Sequence, residues 1–238
     1  MKFYRNTDVE ARAEARLAEL EQLLGRPLTP PVPIDLIAEK LLGLDFLWDA
    51  IDELPGESIL AGLDAPNRLI VLNENRRDTF LKHRGLERSS KGHEMGHWDL
   101  FIDLSSLDHP SLFDRREDGP IVFRSSTRGD LRVIKALIST AEGQELYRRI
   151  QVRADHPDEA RAVNRYAAAL SMPKALLIRE VTKIDRTHWP RLYELAERFD
   201  VTITALVTRL EQLDLLFVGK DKKLFESREQ ANGQRTLF

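Results

Sequence analysis

His93 and His97 stand four residues apart, with Glu94 beside the first, in the run Gly92-His93-Glu94-Met95-Gly96-His97-Trp98. An α-helix turns about 100° per residue, so side chains four apart share one face. Small and apolar neighbours (Met95, Gly96, Trp98, Leu100, Phe101) imply a helix that is mostly buried. This constrains the fold. Two imidazoles and a carboxylate within a few residues cannot be buried without partners, because each polar group stripped of water needs a compensating bond. The plain alternative is two satisfied core histidines beside a surface glutamate. The other is a cation: two imidazoles so placed can each bind Zn²⁺ at about 2.1 Å, with Glu94 on the next face round, in reach of a metal-bound water. His93 and His97 are thus candidate metal ligands and Glu94 a candidate general base.

The composition narrows what surrounds this helix. Cysteine is absent, so any metal must be held by histidine and carboxylate, and there is no disulfide framework. A net charge of -3 with 32% charged residues carries no basic excess of the kind nucleic acid demands. No apolar run reaches the length of a membrane span, and the N-terminus leads into an acidic amphipathic segment rather than an apolar leader. A cytoplasmic protein without membrane contact is expected.

Val9, Ala13, Leu17, Leu20 and Leu24 recur at helical spacing from about Asp8, and Gly25 ends that helix. A proline-rich connector leads to a second helix over 34–42, closed by Gly43. Strand-like stretches follow at 44–48, 58–63 and 68–72, the last two split by Asp64-Ala65-Pro66-Asn67, which predicts an antiparallel hairpin. Residues 103–130 look irregular apart from an apolar run at 121–123, helical periodicity resumes over 131–149, and Pro157 opens another helix that ends at Met172-Pro173.

Three segments together carry a family resemblance: Pro33-Ile34-Asp35-Leu36-Ile37-Ala38-Glu39-Lys40-Leu41-Leu42, the His93–His97 motif, and the helix from Asp158 with Asn164, Tyr166-Ala167, Leu170 and Met172-Pro173. The chain resembles the ImmA/IrrE family of zinc metallopeptidases over about residues 31–217. The resemblance implies a zincin-like core, an endopeptidase activity, and a glutamate on the second helix that completes the zinc site. Here the chain departs from the pattern, with Ala160 and Ala162 where acidic residues usually stand. Glu159 is the candidate third ligand, seven residues before Tyr166 and within roughly 20° of the same helix face. Asp158, Asn164, His156 and His109 are the alternatives, and a first-turn acid stabilised by the helix dipole is the bland explanation of Glu159.

Residues 189–213 have a helix-turn-helix outline, with a junction at Phe199-Asp200-Val201 and Thr202 capping the second helix. That second helix offers Arg209 as its one cation, offset by Glu211 and Asp214, so the charge argues for packing and against direct DNA binding. Residues 215–218 and 223–226 flank a hairpin turn, and the tail from Ser227 reads as polar and loose.

The expectation is an α+β chain. A zincin-like peptidase domain of small antiparallel sheet and helices spans 1–186, and a helix-turn-helix-like subdomain with a terminal β-hairpin spans 187–238, the two packed as one unit. Oxyanion stabilisation would fall to Tyr166, Tyr147 or His188, among which the sequence does not choose. The resemblance implies a helix-turn-helix repressor as substrate. The rival is a non-catalytic regulator on the same scaffold, supported by Ala160 and Ala162. A third possibility is a structural phage or plasmid protein whose metal only holds the fold, but it gives Glu94 no purpose.

Overall fold

A computed structural model describes residues 4–53, 58–103, 122–127 (as backbone) and 157–233. Helix α1 (Asn6–Leu24) is followed by a short α2 (Ile34–Leu36) that continues as a π-helical turn (Ile37–Leu42). Strands β1 (Asp45–Asp49), β2 (Ser58–Asp64) and β3 (Leu69–Asn73) precede the short α3 (Arg77–Lys82) and the motif helix α4 (Leu86–Phe101). Strand β4 (Val122–Thr127) comes next, then α5 (Pro157–Ser171), α6 (Lys174–Val181), α7 (Trp189–Phe199) and α8 (Ile203–Gln212). A small hairpin, β5 (Phe217–Val218) with β6 (Leu224–Phe225), and a last helix α9 (Arg228–Gly233) follow. The fold is mixed α+β. Among the described residues, no helix is long and apolar enough to cross a membrane.

The main sheet has the order β1-β3-β2-β4. Strands β2 and β3 form the expected antiparallel hairpin, with Leu63 opposite Ile70. The sheet as a whole is not antiparallel, because β1 pairs with β3 in parallel. Strand β3, with Ile70 and Leu72 fully buried, takes an inner position, whereas β1 alternates between exposed and half-buried residues and lies at the edge. The chain reverses from β1 to β2 and again from β2 to β3, so β3 runs alongside β1 in the same direction. The irregular reading of 103–130 also needs amendment, since Val122–Thr127 pairs antiparallel with β2. The rest of that stretch, and the helix expected at 131–149, lie outside the described residues.

The motif helix α4 packs against α5 at unusually short range. A side-chain carbon at Gly96 would sit 2.9 Å from Val163 Cβ, and one at Gly92 would sit 3.1 Å from Ala167 Cβ. These glycines, one helical turn apart, let the two backbones approach each other. Residues 92 and 96 meet 167 and 163 in turn, so the helices run antiparallel. The inward stripe of α5 includes Glu159, Val163, Tyr166 and Leu170, all buried.

Other elements hold this pair in place. Helix α1 contributes Val9, Ala13, Leu17 and Leu20 to the core. Its Arg12 and Arg16 bind Asp99 of the motif helix at 2.8 and 2.7 Å, and Tyr166 donates to the same carboxylate at 2.6 Å. Burial pushes the Asp99 carboxyl up, but Arg16, Tyr166 and Arg12 outweigh it and hold the group below its usual range. On the other flank, Lys91 reaches Asp35 at 3.1 Å, and Arg88 donates to the Val32 carbonyl at 2.7 Å. Helices α7 and α8 meet at Asp200, with Thr202 capping α8 by accepting from the Ala205 amide at 3.1 Å. Their turn is docked on the start of α4. Arg84 donates to Asp200 at 3.1 Å, and Val201 backbone lies 2.5 Å from where a Cβ of Gly85 would be, a position with φ of +79° that glycine alone fills without strain.

Arg209, the one cation of α8, is 0% exposed. It binds Glu10 of α1 through two bonds of 2.5 and 2.8 Å and donates to the Met172 carbonyl at 3.2 Å. Glu10 also accepts from Arg165 at 3.0 Å. The sole cation of the second helix is therefore spent on a clamp between α1, α5 and α8, and phosphate contacts from it are excluded. Residues 228–233 form α9, so the tail from Ser227 is less irregular than its polarity suggests.

Two predictions follow from the packing. Alanine in place of helical glycine is worth about 1 kcal/mol in propensity, so Gly92→Ala, with a neighbour that need shift little, should be close to neutral. Gly96→Ala meets Val163 Cβ and Cα together and should destabilise by about 1–3 kcal/mol net. Urea unfolding of both variants checks the difference; equal effects would show that the helices do not depend on Gly96. Arg209→Met should cost about 1.5–3 kcal/mol, because Glu10 loses two charge-assisted bonds and keeps Arg165, and Glu10→Leu combined with Arg209→Met should recover part of that loss.

Candidate functional site

The site is built on the face of α4 where His93 and His97 lie one turn apart. Both are buried, at 6% and 0% exposure, and their rings meet at 70° with centroids 4.9 Å apart. The two Nε2 atoms are 3.2 Å apart. Two nitrogens bound to one tetrahedral zinc at 2.1 Å would be about 3.4 Å apart. The imidazoles therefore converge as closely as shared coordination requires.

Asn164 of α5 sets the state of the first ring. Its Oδ1 lies 2.9 Å from His93 Nδ1. A carbonyl oxygen only accepts, so Nδ1 carries the proton and donates. In the neutral ring, Nε2 then presents its lone pair towards His97. This is the arrangement that supporting hydrogen bonds impose on metal-binding histidines. Without a cation the same geometry is satisfied by an Nε2–H of His97 donating to His93. Both alternatives use the same tautomer of His93.

Glu94 is fully buried, not at the surface as the satisfied-histidine alternative required. Glu159 is 3% exposed and lies on the stripe of Val163 and Tyr166, as its spacing predicts. Asn164 meets His93. Among the described residues no three His, Asp or Glu side chains gather as a metal-ligand set. The structure brings His93, His97 and Asn164 together, and it buries Glu159 on the α5 stripe that packs on the motif helix through Val163. Of the other ligand alternatives, Asp158 pairs with Arg161, Asn164 supports His93 from its far side, and His109 and His156 lie outside the described residues.

The oxyanion candidates are also sorted by position. Tyr166 is fully buried and its hydroxyl is committed to Asp99, so it serves the clamp between α1, α4 and α5 rather than a developing charge. Burial, with the Asp99 charge beside it, pushes that hydroxyl well above its usual range, which keeps it protonated. His188 is exposed at the start of α7, where its carbonyl accepts from the Arg191 and Leu192 amides. It sits on the surface, whereas the imidazole pair is buried. Tyr147 lies outside the described residues.

The supporting role of Asn164 escapes sequence reasoning because its partner is 71 residues away. Its place among the residues that carry the family resemblance is the only trace in the sequence. The residues present fit a metal in part: two converging imidazoles and a hydrogen bond that fixes the tautomer of one.

Comparison of the chain with protein-family models and with curated proteins finds no match.

Asn164 is exposed on its helix, so its truncation should spare the fold. Asn164→Ala should weaken zinc binding by about 10–100-fold, the usual cost of losing such a supporting bond. Chelator competition on wild type and variant, with circular dichroism as a control for folding, gives the answer. Equal affinities would remove Asn164 from the site.

Proposed function

We propose that the chain is a zinc-dependent endopeptidase with a zincin-like core. His93 and His97 would hold the ion, and Glu94 would act as general base. The observation that carries this reading is the 3.2 Å convergence of the two Nε2 atoms, with the proton of His93 fixed on Nδ1 by Asn164. A bound zinc ion supplies Lewis acidity and brings the pKa of water to near seven. The chain's own residues do the rest. Asn164 orients the His93 ring. The Glu94 carboxylate takes the proton of the attacking water and passes it to the leaving nitrogen. The burial of all three motif side chains keeps bulk water from competing for them.

The resemblance to ImmA/IrrE metallopeptidases supports a protein substrate, and a helix-turn-helix repressor within it. The burial of Arg209 supports the view that α7 and α8 belong to the body of the enzyme and do not bind DNA.

A second reading has its own observation. Ala160 and Ala162 stand where the resemblance places acidic residues, which favours a regulator that has kept the scaffold and lost cleavage. The two readings part on metal content. Near-stoichiometric zinc in the purified wild type, lost in His97→Ala, supports the enzyme. A wild type that stays zinc-free, while Ala160→Glu gains zinc binding by on the order of tenfold or more, supports the regulator.

Catalysis is tested by Glu94→Gln, which keeps size and shape and removes the base. Cleavage of a repressor encoded beside this protein should fall by about 10²–10⁴-fold, with fold and zinc content unchanged. Unimpaired cleavage by the variant would take Glu94 out of the mechanism. Tight repressor binding by both proteins without proteolysis would favour the regulator.

A further inference from the structure

A cavity of about 310 Å³ lies between α5, α8 and the first turn of α4. Its volume is at the lower end for ligand sites, roughly 300–1,000 Å³. Its polar lining comes from the hydroxyls of Ser89, Ser171, Thr202, Thr204 and Thr208 and the amides of Asn164 and Gln212; alanines supply much of the floor. No charged side chain lines it among the described residues. A charged ligand would lose its water there with nothing to compensate it, so the occupant is neutral.

Two features select an extended peptide among neutral occupants. Thr204, Thr208 and Gln212 recur every four residues along α8, a rise of about 6 Å. Alternate residues of an extended chain repeat at about 6.6 Å. A strand laid along α8 therefore meets one of these side chains with every second residue. Gln212 Oε1, moreover, is buried with no hydrogen-bond partner among the described residues, and an acceptor in that condition calls for a donor such as a peptide N–H. The small side chains of the floor leave room for small residues on the bound chain.

We propose that this groove binds a short extended peptide segment with small, uncharged side chains. It adjoins the imidazole pair through Asn164, whose Oδ1 holds His93 while the residue also lines the groove. The Asn164 side-chain NH₂ would donate to the bound segment, so occupancy bears on the same residue that orients His93. As a place where a protein substrate is gripped, the groove rests on the endopeptidase reading. As a peptide site, it does not.

The test uses the zinc-free full chain, so that its result is separate from hydrolysis. Three blocked dipeptides are titrated at millimolar concentration and followed by protein NMR: N-acetyl-Ala-Thr-amide, N-acetyl-Asp-Glu-amide and N-acetyl-Lys-Arg-amide. The neutral peptide should shift the side-chain amide signals of Asn164 and Gln212 and the signals of Thr204 and Thr208; the charged ones should not. Thr208 is exposed, so Thr208→Lys keeps the fold and should weaken the neutral peptide roughly tenfold or more. Ala168→Phe, which fills the groove, should abolish the shifts. The proposal is overturned if the neutral peptide gives no shifts, if its shifts fall elsewhere, if the charged peptides bind as well, or if both variants bind it unchanged. None of these results bears on whether His93 and His97 hold zinc.

Discussion

The close contact between α4 and α5 is the constraint on which the rest of the structure depends. With Gly92 and Gly96 facing Ala167 and Val163, the backbones approach as closely as side chains permit. Only at that range does the short Asn164 side chain reach His93 Nδ1. A β-carbon at Gly96 would move the helices apart by several tenths of an ångström, and a 2.9 Å hydrogen bond does not survive much of that. The glycines inside the histidine motif thus act on the chemistry through distance, by fixing which residues of α5 the imidazoles meet.

Charge holds this pair from the outside. Asp99, near the end of α4, gathers Arg12, Arg16 and Tyr166, while Glu10 gathers Arg165 and Arg209. Both centres bring α1 and α5 together, and between them they take in α4 and α8 as well. Such buried pairs add little to stability over apolar packing but are costly to break, and their geometry admits few other arrangements. They specify the register. A slip of α5 by one residue would separate Tyr166 from Asp99 and Asn164 from His93 in the same movement.

The helix-turn-helix outline of α7 and α8 acquires a different meaning in this setting. Its turn is tied to the start of the motif helix through Asp200, and its one cation is turned inward. Among the side chains the unit presents to solvent are Thr204 and Thr208, beside the groove that leads to Asn164. A shape associated with reading DNA is here part of the wall next to the imidazole pair.

Periodicity alone determined much of the architecture. Val9, Ala13, Leu17 and Leu20 were legible as a buried stripe, and the 64–67 turn as a hairpin, because each depends on neighbours within a turn or two. The joining of His93 to His97 was legible for the same reason. Three things were not. The parallel placement of β1 beside β3 depends on which strand takes the inner position, a competition between distant segments. The burial of Arg209 depends on Glu10, 199 residues away. The meeting of Asn164 with His93 depends on helix register: the face of each α5 residue could be read from spacing, but which face meets the motif helix was set by two glycine contacts on that helix. Local spacing fixes what a residue can do, and the packing of one helix on another decides what it meets.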